Sequence, residues 1–315
     1  MASVSQLENP SCIDFQTTQQ LWNPQEWEYQ VLVWMENLIE ENERVITVAH
    51  PRSGLFIPEA ATFIWGVAKY MSVPPQSKYL ALELYDRFCL MHIDSLHAHL
   101  EAEGKKSPPS QVKELQERVA KQSPLRILTC LMIASKLLDH KNVLSAKDVQ
   151  KIVRKMDLDY TIKSINKSEV RVLQQLDYRC LSSSTHVVYV GVLVAMVNVA
   201  STERQLNMTQ LYEIAVQVLD ATFYSHKKVY TSLFSWVTNY RFIPSKHRAA
   251  FSSVISDRLL LAESVVVVSA WLQGGDSLSD SIVEVLSKHT HIPDNDVLQL
   301  ASCIIKHALK INKTQ

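Results

Sequence analysis

Pro124-Leu125-Arg126-Ile127-Leu128-Thr129-Cys130-Leu131-Met132-Ile133-Ala134-Ser135-Lys136-Leu137-Leu138 is the stretch on which the fold turns. Its apolar residues Ile127, Leu128, Leu131, Ala134, Leu137 and Leu138 lie nearly all round a helix, and a helix apolar on every side has to be buried among others. Proline suits a first helical turn, so Pro124 is read as the opening residue, and the small Ala134-Ser135 pair lets a neighbour approach closely. A buried central helix requires a bundle around it. Upstream, residues 77–91 carry Leu80, Ala81, Leu84, Tyr85 and Phe88 at three-and-four spacing, a single core-facing stripe. Pro58 sits in the first turn of a helix running to Met71 and stopped by Pro74-Pro75. Residues 26–43 place Trp27, Val31, Trp34 and Leu38 on one face. Downstream, helices are predicted over 145–156 and over 161–176, the second with Thr161 as its N-cap. Between 101 and 123 the composition turns polar, with Gly104, Lys105, Lys106 and Ser107-Pro108-Pro109, which predicts a surface insertion.

The pattern then repeats in kind. Helices are predicted over 185–199, 208–222, 229–240, 249–272, 278–289 and 294–311, with boundaries at Asn207, Gly274-Gly275 and Pro293-Asp294. The valine run Val265 to Val268 and Trp271 read as core. The expected class is all-α: a flexible polar tail over 1–25, a first helical bundle over 26–183 carrying the insertion 101–123, and a second bundle over 184–315. The length of 315 residues suits two domains. Only six glycines in the whole chain argue against an all-β protein with many tight turns.

Charge and cysteine content narrow the function classes. The formal net charge is zero, which gives no reason to expect direct nucleic-acid binding. Five cysteines, Cys12, Cys89, Cys130, Cys180 and Cys303, are scattered without a C-x-x-C pair, as expected of reduced thiols in a cytosolic or nuclear protein. The first 25 residues lack the basic-then-apolar order of a secretory signal. The longest apolar run, 187–197, falls short of the roughly 20 residues that span a bilayer, so no membrane partner is expected. No G-x-S-x-G, H-E-x-x-H, Walker or dinucleotide fingerprint occurs, and neither enzyme activity nor a cofactor is expected. His92, His97 and His99, and again His289 and His291, cluster without converging Cys or carboxylate partners, so they read as ordinary surface or helix-end histidines.

Three stretches in fixed order match one family pattern: Leu80-Ala81-Leu82-Glu83-Leu84-Tyr85-Asp86-Arg87-Phe88, then Leu131-Met132-Ile133-Ala134-Ser135-Lys136-Leu137, then Ser168-Glu169-Val170-Arg171-Val172-Leu173-Gln174-Gln175-Leu176-Asp177-Tyr178. Together they resemble the cyclin box, over roughly residues 55–185. The resemblance implies two cyclin-like bundles, the second degenerate. It also implies a regulatory protein whose partner is a cyclin-dependent-kinase-like catalytic subunit. Within the family the chain looks closest to an atypical branch associated with meiotic crossover formation, including Ile13-Asp14-Phe15-Gln16 in the tail and the long insertion after the second helix. That likeness implies a nuclear protein at meiotic chromosomes, with mismatch-repair-type crossover proteins among its partners. A kinase-independent scaffold for recombination factors is the first alternative, and a nucleic-acid-binding adaptor, against which the zero net charge and unpaired cysteines count, is the second.

In cyclins the Lys of the Ala-Ser-Lys element and the Glu of the later helix clamp the regulatory helix of a kinase. The matching residues are Lys136 and Glu169. Lys136 near a helix C-terminus also complements the helix dipole, and Glu169 could pair with it for stability alone. Asp86, Arg87, Phe88, Ala134 and Ser135 are expected to be structural. The family's substrate-docking element, Met-Arg-Ala-Ile-Leu followed by Trp, reads here Phe56-Ile57-Pro58-Glu59-Ala60 with Phe63. The acidic Glu59 and missing Arg count against the usual basic docking peptides. Leu137-Leu138 stand where typical cyclins carry acidic residues. Ser107 and Ser123, each before a proline, are candidate phosphorylation sites.

Overall fold

The computed structural model describes residues 23–51, 53–54, 57–102, 109–138, 143–181, 183–200, 207–240, 243–244 and 247–310. The described elements are helices: α1 (Pro24–Thr47), α2 (Ile57–Met71), α3 (Pro75–Ala102), α4 (Pro109–Leu138), α5 (Ala146–Lys155), α6 (Ile162–Gln175), α7 (His186–Ala200), α8 (Met208–Tyr224), α9 (His226–Thr238), α10 (Arg248–Ser256), α11 (Arg258–Thr290) and α12 (Asp294–His307). They fall into two units, one of α2 to α6 and one of α1 with α7 to α12.

In the first unit α4 packs against each of the other four helices. Leu128, Cys130, Leu131, Met132 and Ala134 are wholly buried in it, as their all-round apolar pattern requires. The helix starts at Pro109, however, so Pro124 lies inside it. Lys113, Glu114, Leu115, Gln116, Glu117, Arg118, Ala120 and Lys121 are all strong helix formers. They carry the helix through a proline that costs it one backbone hydrogen bond. The polar stretch read as an insertion is therefore the end of α3 and the first half of α4, apart from residues outside the description. Short caps order the remaining turns. Ser145 forms a reciprocal capping box with Asp148 at the start of α5, and Thr161 accepts the Ser164 N–H at the start of α6.

Helix α1 differs more. The sequence reading placed it in the first bundle, but its buried face of Trp27, Val31, Trp34, Met35 and Leu38 packs against α7, α10 and α11. Two polar residues at its far end explain the placement. Glu41 accepts hydrogen bonds from the Ser184 backbone N–H at 2.8 Å and the Tyr189 hydroxyl at 2.9 Å. Buried Asn42 accepts from the backbone N–H groups of Arg258 and Leu259 and donates to Asp257 at 2.9 Å. Asn42 thus joins Asp257 in capping α11, and α10 and α11 separate at Asp257 where one continuous helix was predicted. Asp257 is extended and its carboxylate takes the Leu260 N–H at 2.9 Å.

Around that cap, α7 is buried on all sides from Val187 to Val197 and α11 from Leu259 to Ala270. The valine run is core, whereas Trp271 is half-buried and donates its indole N–H to Asp276 at 2.8 Å. Gly275, at φ 75° and ψ −163°, interrupts α11 in a conformation open to glycine alone. By length and composition α11 could cross a bilayer, but two-thirds of its apolar stretch is buried (67%), the character of a core helix.

Candidate functional site

Three side chains inside the first unit set the register of α6 against α4. The buried Arg126 guanidinium donates to the Ser168 hydroxyl at 2.6 Å and to its carbonyl at 3.4 Å, and reaches back to Gln122 at 3.2 Å. The Thr129 hydroxyl lies 2.8 Å from the same Ser168 oxygen. Arg126 also sits over the Phe88 ring, 5.7 Å from its centroid. With Ser168 drawn inward, the next residue of α6 turns about 100° round the helix, onto its flank. That residue is Glu169.

Glu169 meets Lys136 there at 2.5 Å, with side-chain exposures of 18% and 42%. Lys136 stands in the last turn of α4, where the carbonyl end of the helix favours a cation. An ammonium group has three hydrogens and a carboxylate two oxygens. Beyond their mutual bond, both ends of the pair keep capacity for an incoming backbone carbonyl and N–H. Beside it Leu137 is 40% and Val143 39% exposed, and by helical spacing Ile162, Asn166 and Leu173 share the Glu169 flank of α6. The result is a small charged centre within a partly apolar, solvent-facing surface.

The neighbouring motif residues turn inward. Ala134 and Ser135 are wholly buried, and the Ser135 hydroxyl accepts the Leu144 N–H at 3.0 Å, tying the segment after α4 back onto the helix. Asp86 accepts the Gly54 N–H at 3.0 Å, Arg87 donates to the Arg179 carbonyl at 2.9 Å, and Phe88 is buried and stacked on His92. These bonds hold the entry to α2 and the exit from α6.

Of the docking element, Glu59 is exposed, Ala60 buried and Phe63 half-buried. Ser123 lies half-buried inside α4, its hydroxyl hydrogen-bonded to Tyr85. A proline-directed kinase would have to unwind a helical turn to reach it. Ser107, Phe56, Cys12 and residues 13–16 lie outside the described residues. Cys89, Cys130, Cys180 and Cys303 are free and buried, and burial raises all four thiols, Cys89 to about 12. Among the described residues no group of three His, Cys, Asp or Glu is placed to hold a metal. His289 lies in the last turn of α11 and His291 is its left-handed C-cap.

Sequence reasoning paired Lys136 with Glu169 but missed what aims them. Arg126, Thr129 and Ser168 gave one available signal, polar residues at otherwise apolar positions of two amphipathic helices.

No family model matches the chain. It is similar to cyclin N-terminal domain-containing protein 1 of Mus musculus, 23% identical over 279 residues that cover 88% of this chain and 82% of that protein. The protein of the same name from Homo sapiens is 22% identical over 279 residues, 88% of this chain and 83% of its own length. The chain is thus similar over most of its length to proteins with a cyclin-like name, and its described residues have an all-α fold.

Proposed function

We propose that this distant cyclin-like chain is a non-catalytic regulatory subunit whose Lys136–Glu169 face binds a cyclin-dependent-kinase-like partner. The observation that carries the reading is the pair itself: two residues 33 positions apart meet on a partly exposed surface, next to a buried network that fixes the register of their helices. In the complex, Lys136 donates to backbone carbonyls at the end of the kinase's regulatory helix and Glu169 accepts from nearby N–H groups. Docking that helix completes the Lys–Glu ion pair within the kinase, so the chemistry belongs to the partner. Following the resemblance, the setting is the nucleus of meiotic cells, where the complex promotes crossover designation and maturation beside mismatch-repair-type recombination proteins.

A second reading, a kinase-independent scaffold for recombination factors, draws on Leu137 at 40% exposure where cyclins carry an acidic residue. Co-purification of the wild type and a Lys136→Ala/Glu169→Ala variant separates the two. Loss of a kinase from the variant alone, with recombination proteins retained, is the expected result, and truncating either residue should cost about 2–5 kcal/mol of kinase affinity. A kinase in neither sample would overturn the first reading in favour of the scaffold. Binding of duplex DNA that weakens as salt rises would instead point to a nucleic-acid adaptor.

A further inference from the structure

Helix α6 has a second functional-looking face, turned away from the core. Its buried residues Ile165, Ser168 and Val172 occupy one side. On the outer side and its flanks, Ile162, Lys163, Asn166, Lys167, Val170, Arg171 and Gln174 line a shallow groove that is nearly flat and open to solvent. Lys163, Lys167 and Arg171 follow one another at four-residue spacing, a row of cations about 6 Å apart along the helix. None of the three is ion-paired among the described residues. Like charges at this spacing destabilise a helix, so the row weakens α6 unless something negative lies along it. Beside the row Val170 is 49% exposed.

We propose that this face docks an acidic amphipathic segment of a partner protein. Carboxylates at matching spacing face Lys163, Lys167 and Arg171, and an aliphatic side chain covers Val170 beside them. Charge complementarity selects an anion, and the adjacent Val170 selects protein over nucleic acid, because a phosphate backbone offers it nothing apolar. The zero net charge of the chain agrees with a local basic row rather than a general polyanion surface. Ile162 and Asn166 border the Glu169 flank as well, but Lys163, Lys167, Val170 and Arg171 do not, and neither Lys136 nor Glu169 lines the groove, so the proposal does not rest on the kinase reading.

Fluorescence anisotropy on the full chain tests it. The probe is a labelled synthetic helix-forming peptide with Glu at every fourth position and Leu beside each. Lys163→Glu/Lys167→Glu/Arg171→Glu should weaken binding at least about tenfold, and Val170→Asn, a milder change that keeps the fold if the charge reversal does not, about threefold. The same peptide with Ser for Leu should bind more weakly than the original. Lys136→Ala should leave peptide affinity within about twofold while removing kinase association, so the two readings fail separately. The proposal is overturned if the wild type does not bind the peptide, if both groove variants bind like the wild type, or if the Ser peptide binds as well as the Leu peptide. It is also overturned if labelled single-stranded or duplex DNA is the tighter ligand and is lost in the charge-reversed variant.

Discussion

The two helical units differ in the buried ionisable groups they hold. In α2 to α6, Arg126, Thr129, Ser168 and Ser135 are hydrogen-bonded to one another or to backbone, and the residues next to Ser135 and Ser168, Lys136 and Glu169, form an ion pair facing solvent. In α1 and α7 to α12, Asn42 and Asp257 are satisfied in the same way, but Glu263, His186 and His226 are buried groups that burial drives toward their neutral forms. Burial, with the charges of Asp294 and Asp257 nearby, pushes the Glu263 carboxyl up to about 8 against the easing effect of the Thr290 hydroxyl. Burial brings His226 down to about 4 and His186 well below its ordinary value. His226 lies parallel to Phe223 and tilted against Tyr230 as one more flat core side chain. The difference teaches that satisfied buried polarity can aim a surface, whereas buried titratable groups make the unit holding them sensitive to pH.

The sharpest way to separate the units is Asn42→Ala, which strips a cap from α11 and leaves two buried N–H groups short of an acceptor. A loss of about 3 kcal/mol is expected, with hydrogen-exchange protection falling most in α7 to α12. Protection lost equally in α2 to α6 would break the comparison.

A smaller effect comes from pH. A neutral buried histidine contributes stability above about 6.5 that is lost as the pH falls toward its depressed value. A buried acid contributes stability at low pH that is lost as the pH rises from 4.5 to about 8. His186 and His226 act against Glu263 and Asp257, whose carboxyl burial also raises; above about pH 6.5 the histidine contribution is complete and Glu263 alone gives a decline of about 2 kcal/mol by pH 8 in denaturant titrations. Glu263→Gln should flatten the alkaline limb and steepen the acid one; an unchanged profile would remove Glu263 from the account.

Ser168→Ala should cost about 1.5 kcal/mol, read as lost protection in α4 and α6, because Arg126 and Thr129 lose their shared partner. It should also weaken kinase association although Ser168 is buried. Least of all, Lys136→Ala should change stability by under about 1 kcal/mol, as exposed pairs do, while affecting kinase association most. A large loss of stability would make the pair a brace rather than an interface.

The helices, most of their ends and the buried character of 127–134 were legible because apolar spacing and capping residues are local signals. Lys136 and Glu169 were legible through a resemblance, since nothing in either helix alone says which way it faces. Two elements misled. Pro124 looked like a helix start because its local preference is for the first turn, and only the helix-forming residues before it outweigh that preference. Residues 249–272 looked continuous because Asp257 becomes a break only when Asn42, more than two hundred residues away, is present to complete the cap.

What the amino-acid order determined by itself is the all-α class, the central helix and the chemical character of each helix face, since these follow from side-chain periodicity within a few turns. Tertiary structure decided which unit receives α1, where α10 gives way to α11, and that α6 is rotated so that Ser168 points in and Glu169 reaches Lys136. Each of those outcomes depends on hydrogen bonds between residues far apart in the chain, whose partners are chosen by packing and not by local preference.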